Sequence, residues 1–506
     1  MVGCGLGAFI VLFNSHEFLF VYLPLTLAVF FFLGRGGRSG LAIPWLVAAS
    51  LFFYGWWNPV YLLLILASIF FNYSVGRYLS RPAGSGRGAG RRAALVLGVS
   101  ANLGALAWFK YANFLLENIN FTLGSQLPGG IIVLPLAISF FTFQQIAYLA
   151  DAYQGRTHEY SFLHYTLFVT FFPQLIAGPI VHHREMLPQF RAAATYVLRP
   201  ENLAIGGTIF TLGLFKKVVL ADNLALLASP AFAAAERGAQ LNWSESWQAV
   251  GAYTLQLYFD FSGYSDMAIG LGRLFGIKIP LNFNSPYRAA NIIDFWRWWH
   301  MTLSRFLRDY LYIPLGGNRH GRIRRYRNLM IAMVLGGLWH GAGWTFVVWG
   351  TLHGVYLCLN HLWHRVGPGP VGRWWSLMLA RVVTLAAVML GWIFFRAETF
   401  TGAGRILAGF THFPAAGPTR NDLQLVLASA VALAALWMLP NVHEMLRHHA
   451  PAHDYPRTGS EGAPLSRLHA SFLWKPSPAW AVVTGAAAAA AILSLTRVSE
   501  FLYFQF

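Results

Sequence analysis

Charge is scarce in this chain. Only 11% of its 506 residues are Asp, Glu, Lys or Arg, against roughly a quarter in soluble domains. With 56% of the residues hydrophobic, too little polar surface is left to face water on all sides. A bilayer as solvent removes that conflict. Cysteine is scarcer still: Cys4 and Cys358 build no disulfide framework and match no metal spacing. Acidic residues are outnumbered, 19 against 37 basic ones, for a formal net charge of +18. In a soluble protein that balance would suggest nucleic acid. Here the basic residues lie between apolar runs, where they fix topology and touch anionic lipid headgroups, so no nucleic-acid partner is expected. There is no Walker A loop, dinucleotide fingerprint, G-x-S-x-G elbow or zinc-protease helix, and neither a metal nor a bound cofactor is expected. The first 13 residues lack the basic n-region and cleavage site of a signal peptide. The expectation is that residues 1–10 are a misassigned start and that 11–506 form one integral-membrane domain.

Aromatics are abundant, with 41 Phe, 21 Tyr and 19 Trp, as suits packed helices between two interfacial belts. A span needs about 20 apolar residues. Candidates lie near 17–33, 41–57, 60–76, 93–110, 131–150, 161–181, 203–221, 247–270, 328–359, 374–395, 422–440 and 477–496. The pattern predicts an all-α polytopic protein with roughly 10–13 spans plus re-entrant or amphipathic helices. Basic residues set the orientation. Arg35 and Arg38 follow the first span, and Arg77, Arg81, Arg87, Arg91 and Arg92 follow the third. The intervening Asn58-Pro59 turn has none, which predicts an N-terminus outside.

Three segments carry polar groups that lipid would not tolerate. Residues 292–316 have a helical period yet hold Asp294, Arg297, His300, Arg305, Arg308 and Asp309. A charge at the bilayer centre costs about 2.5–3.5 kcal/mol, so this helix is expected at an interface or buried in protein. His300, Ser304 and Arg308 recur every four residues on one face. In GGLWHGAGW (336–344), His340 stands among glycines beside Trp339. An intramembrane ionisable group of this kind is a functional candidate, with helix packing as its bland alternative. His353, thirteen residues on, falls about 220° around an ideal helix and reads as structural. The stripe Gln256, Asp260 and Tyr264, with Ser262, Ser265 and Asp266, is either the lining of a polar path or an interhelical network to Arg297 or Arg308. Lys216 and Lys217 read as snorkelling to an interface. The histidines at 443, 448, 449 and 453 read as a solvated loop.

These segments together resemble the membrane-bound O-acyltransferase superfamily, and more closely its bacterial branch of alginate O-acetyltransferase membrane subunits. The matching text includes LPLAISFFTFQQIAYLADAYQG (134–155), FFPQLIAGPIVHHREMLPQF (171–190), YFDFSGYSDMAIGLGRLFGIKIPLNFNSPY (258–287), FWRWWHMTLSRFLRDYLYIPLGGNR (295–319) and the terminal FLYFQF. Residues 131–359 are the most family-like. The resemblance implies a helical ring around a thinned centre, with a tunnel bringing donor and acceptor from opposite faces. It implies His340 as catalytic base and His300 as its partner, with Asp260, Tyr264, Arg297, Ser304, Arg308 and Trp339 along the substrate path. The family commonly reads FWRRWH, and Trp298 here replaces the second Arg. The implied reaction is O-acetylation of an exported polysaccharide, alginate-like or other, at the bacterial inner membrane. Acetyl-CoA or another acyl thioester is the implied donor, and a periplasmic acetyltransferase or the polysaccharide itself the implied partner. A transporter for a polysaccharide or lipid intermediate, or a structural export subunit, is the competing class. A transporter would favour paired half-sequences, and no internal repeat is visible.

Overall fold

The computed structural model describes residues 12–35, 39–81, 88–130, 132–157, 161–367, 373–413, 417, 419–453, 455 and 467–495. The expectations about the start of the chain and the FLYFQF text lie outside the described residues. Of the described residues 77% are helical and none lies in a strand, and the protein is an all-α polytopic membrane protein.

Five described helices are long and apolar enough to cross a bilayer: Val60–Leu79, Gly88–Leu123, Pro200–Glu236, Trp374–Arg396 and Leu423–His449. Shorter apolar helices run over Phe18–Gly34, Gly40–Trp56 and Pro478–Ser494. The other candidate spans are broken or polar. Within 161–181 the helix Phe162–Thr170 stops and a four-residue helix, Phe172–Leu175, follows with Pro173 in its first turn. Proline lacks the amide a continuing helix needs.

The chain divides into two compact units. The first comprises residues 1–211, 267–280 and 451–454. It packs on rings: Phe13, Phe18, Phe53 and Phe172 lie with centroids 5.1–6.5 Å apart. Several of its buried amides are paired, as close packing favours. Asn72 and Asn102 bond each other across two helices at 2.6 and 3.2 Å, and Gln145 bridges Ser68 and Tyr165.

The second unit comprises residues 212–266, 281–450 and 455–506. Its main departure from the sequence reading is at 328–359, expected as one span. Helix Arg322–His340 ends at His340, and helix Trp344–Val366 starts three residues later. Gly341 and Gly343 are both extended, so the chain turns back as a tight antiparallel hairpin. Glycines let its arms meet. A Cβ on Gly337 would collide with the carbonyl of Phe346, and one on Gly350 with that of Met333. From Asn328 to His340 the first arm rises about 18 Å at 1.5 Å per residue. That is well short of a hydrocarbon core of about 30 Å.

Residues 292–316 are also not one helix. Helix Ile292–Trp298 is capped by the Asn291 side chain. The chain then breaks at His300, whose backbone is left-handed (φ 43°, ψ 53°), and resumes as Met301–Leu307. The second helix runs on through a π turn over Arg308–Tyr312, so the two pieces are seven and twelve residues, about 10 and 18 Å, and neither can span. Arg297 and Arg308 are each held by a carboxylate of their own segment, Asp294 at 2.9 Å and Asp309 at 2.7 Å. The partners expected for them along the long helix lie elsewhere.

Those partners correct three expectations at once. Asp260 pairs with Lys217, which also meets Asp222 at 2.8 Å. Asp266 takes Lys216 and His443, each at 2.8 Å. Lys217 is 1% exposed and so does not snorkel. His443 is 2% exposed on a short helix with a capping box formed by Asn441 and Glu444, so this part of the histidine tract is no solvated loop. The reason is common to all three: buried carboxylates need cations, and the nearest in the fold come from distant sequence.

Candidate active site

The hairpin tip and the broken segment bring His340 and His300 together, ring centroids 6.4 Å apart. Each is buried, at 6% and 0% exposure. The walls are aromatic. His340 lies against Trp339 (4.9 Å), Trp349 (5.1 Å) and Phe395 (5.2 Å). His300 lies against Phe261 (4.8 Å), Trp339 (6.1 Å) and Phe283 (6.4 Å). Trp339 touches both imidazoles. Apolar rings around two polar ones make a low-dielectric box, in which charge and hydrogen bonds count for more than in water.

His300 is held in place by the loop before it. The amide of Met301 donates to the carbonyl of Asn282 (2.9 Å), and the amide of Asn284 donates to that of Trp298 (3.0 Å). Left-handed backbone at a non-glycine residue costs of order 1–3 kcal/mol and persists where its surroundings over-determine it. Asn282 Oδ1 supplies that determination. It accepts from Thr302 Oγ1 (2.8 Å) and the Thr302 amide (3.3 Å), and lies 3.1 Å from His300 Nδ1. Burial pushes the His300 imidazole pKa down to about 3, so the ring is neutral at physiological pH.

His353 sits behind this box. Its Nδ1 accepts from Trp296 Nε1 at 3.2 Å, and Trp349 stacks between the two histidine sites, 5.1 Å from His340 and 4.9 Å from His353. The helical-wheel argument about His353 fails, because the hairpin turn separates it from His340, yet the structural role holds. His353→Phe is expected to lower activity only in proportion to folded protein, measured as turnover per unit of monodisperse enzyme on size exclusion.

A sequence profile of the membrane-bound O-acyltransferase family matches residues 132–395, which contain both histidines and the whole box. The chain belongs to that family. As an O-acyltransferase it is similar to a peptidoglycan O-acetyltransferase of Helicobacter pylori, 48% identical over 381 residues, covering 70% of this chain and 71% of that one. It is similar to a probable alginate O-acetylase of Pseudomonas aeruginosa, 43% identical over 353 residues, covering 69% and 65%. A teichoic acid D-alanyltransferase of Streptococcus thermophilus is more distant, 28% identical over 239 residues, covering 46% and 57%.

Of the acyltransferase residues expected along the substrate path, Trp339 joins the histidines. Tyr264 is buried, and Asp260 is engaged with Lys217. Ser304 Oγ donates to the Trp299 carbonyl at 3.4 Å. The Arg297 and Arg308 side chains are 70% and 61% exposed. Sequence reasoning passed over Asn282, Trp349 and Phe395. Asn282 stood inside the quoted family text, but nothing local marks an Asn eighteen residues away as the partner of a histidine.

Proposed function

We propose that this enzyme carries an acetyl group from a thioester donor to the hydroxyl of an exported cell-surface polysaccharide, or to a periplasmic acetyltransferase that passes it on. The observation that carries the reading is the pair of buried imidazoles facing each other in an aromatic box. With ring centroids 6.4 Å apart, both imidazoles can reach one bound acceptor, His340 at the reacting hydroxyl and His300 at its neighbour. In this reading His340 accepts the proton of the acceptor hydroxyl as its oxygen attacks the thioester carbonyl. The carbon–sulfur bond then breaks, and the leaving thiolate recovers the proton. Such a base contributes typically about 10²–10⁴-fold. His300 orients the acceptor, and the closed box excludes the water that would hydrolyse the donor.

The donor side is read from the hairpin's open end. It carries Arg322, Arg324, Arg325 and Arg327, and Arg325 contacts His361 of the other arm at 2.8 Å. A phosphorylated donor such as acetyl-CoA suits that basic end, and the roughly 20 Å along the arm from Arg327 to His340 suits a pantetheine reach. Unsatisfied polar atoms support a polar path beside it. Tyr253 Oη and Gln256 Oε1 are buried on the long helix Trp243–Leu274 without a hydrogen-bond partner, a state that bound water or substrate relieves. The acceptor class follows the O-acetylating relatives rather than any contact here.

The membrane is taken to be the bacterial inner membrane, with the N-terminus outside and the basic connection 77–92 cytoplasmic. A cysteine at Gly84, in a background lacking Cys4 and Cys358, is expected to resist impermeant thiol reagents in intact cells and to react after lysis. The activity is tested with purified protein in liposomes given radiolabelled acetyl-CoA and polysaccharide fragments. Label on the fragment, with one thiol released per acetyl, is expected. Polysaccharide movement without acetyl transfer would instead make the chain a transporter.

A further inference from the structure

We infer that Asn282 is a positioning residue for the acyl transfer, fixing which nitrogen of His300 faces the chemistry. The inference rests on the reading that His300 and His340 act together on the acceptor.

The amide of Asn282 is oriented without ambiguity. The Thr302 backbone N–H, 3.3 Å from Oδ1, can only donate, so the atom it meets is the carbonyl oxygen. Nδ2 points the other way, donating to Ser265 Oγ at 3.2 Å. A carbonyl oxygen has no proton to give, so His300 Nδ1, at 3.1 Å, must be the donor. In a neutral imidazole a proton on Nδ1 leaves the lone pair on Nε2. Asn282 thereby fixes the tautomer and, through its backbone carbonyl on the Met301 amide, the left-handed turn that aims the ring. Replacing the side chain leaves the backbone bond to Met301 but removes the Oδ1 contact, which frees the imidazole to turn about its own bonds and to exchange its proton between nitrogens. With the wrong tautomer, His300 presents an N–H to the hydroxyl next to the reacting one, which in this reading donates to the Nε2 lone pair while His340 takes the reacting proton. The titratable groups around His300 are few. His340 is 6.4 Å away, and Asp266, next to Ser265 in sequence, is already held by Lys216 and His443.

The test compares Asn282→Leu and Asn282→Asp with His300→Ala and His340→Ala, as acetyl transferred per unit of folded enzyme across pH. Asn282→Leu is expected to lose at least about tenfold, and to add little when combined with His300→Ala, since residues acting as a unit are non-additive. Asn282→Asp keeps the shape and both acceptor contacts but sets a carboxylate against Nδ1. An opposite charge this close raises an imidazole pKa. His300 must stay neutral to keep its lone pair, so the acid limb of the profile is expected to move up by about one pH unit or more. A merely structural asparagine would change the amount of folded protein and leave that limb in place. Wild-type rates for Asn282→Leu, or an unshifted limb for Asn282→Asp, with His300→Ala impaired, overturn the role of Asn282 alone. Wild-type rates in both histidine variants overturn the underlying reading and this inference with it.

Discussion

His340→Ala is expected to abolish O-acetylation of the polymer while leaving a folded, membrane-inserted protein. The imidazole meets Trp339, Trp349 and Phe395, and those rings hold one another when it is removed. Trp349 packs on Phe395 at 5.1 Å and on Trp392 at 6.0 Å. The turn beyond it is set by Gly341 and Gly343 rather than by the ring. The loss therefore falls on proton transfer, worth about 10²–10⁴-fold. His300→Ala is expected to be severely impaired, with residual turnover, because orientation rather than proton acceptance is lost. The double variant should be no worse than His340→Ala, by the non-additivity of groups that act together. Acetate released from purified polymer in a complemented deletion strain, normalised to folded protein, reads all three. Near wild-type acetate from His340→Ala would remove the general-base assignment.

Lys217→Met should show the largest loss of stability. The ammonium is buried between Asp222 and Asp260, so removing it leaves two carboxylates with one cation fewer in a dry setting. Breaking a buried pair from one side costs about 3–5 kcal/mol, much more than replacing both partners by apolar groups. Thermal unfolding in detergent should fall by roughly 3–5 °C. The double variant Lys217→Met/Asp260→Leu should recover part of that fall, since one orphaned charge goes with its partner. A single variant that melts with the wild type would mean that the pair is solvated and holds nothing.

The all-α class, the buried aromatics and the candidacy of His340 were legible in the sequence because each rests on local composition. A histidine among glycines in an apolar run stands out without any knowledge of what it touches. Chain reversals were harder. Residues 328–359 have the length and apolarity of a span, and hydropathy does not register a turn made by glycines that are themselves apolar. The break at His300 was hidden for a similar reason. Residues on either side keep a helical period while one left-handed residue separates them. Long-range pairing was least legible. His443 and Asp266 are 177 positions apart, and nothing near either names the other, so a buried ion pair read as a loop histidine and a stripe carboxylate whose suggested partners were Arg297 or Arg308. Lys217 was misplaced by a sound rule, since lysines at span ends do usually reach for the interface. Here a carboxylate on the Trp243–Leu274 helix is nearer than water.

The most direct test of the account is a single-turnover experiment with purified enzyme loaded with labelled acetyl-CoA and then mixed with acceptor. Wild type and His340→Ala are expected to bind the donor equally well, because the basic end of the hairpin lies about 20–27 Å along the arm from the imidazole. Only the wild type should move label to the acceptor hydroxyl within the first turnover. Transfer by His340→Ala at the wild-type rate would contradict the central claim that the facing histidines carry the chemistry.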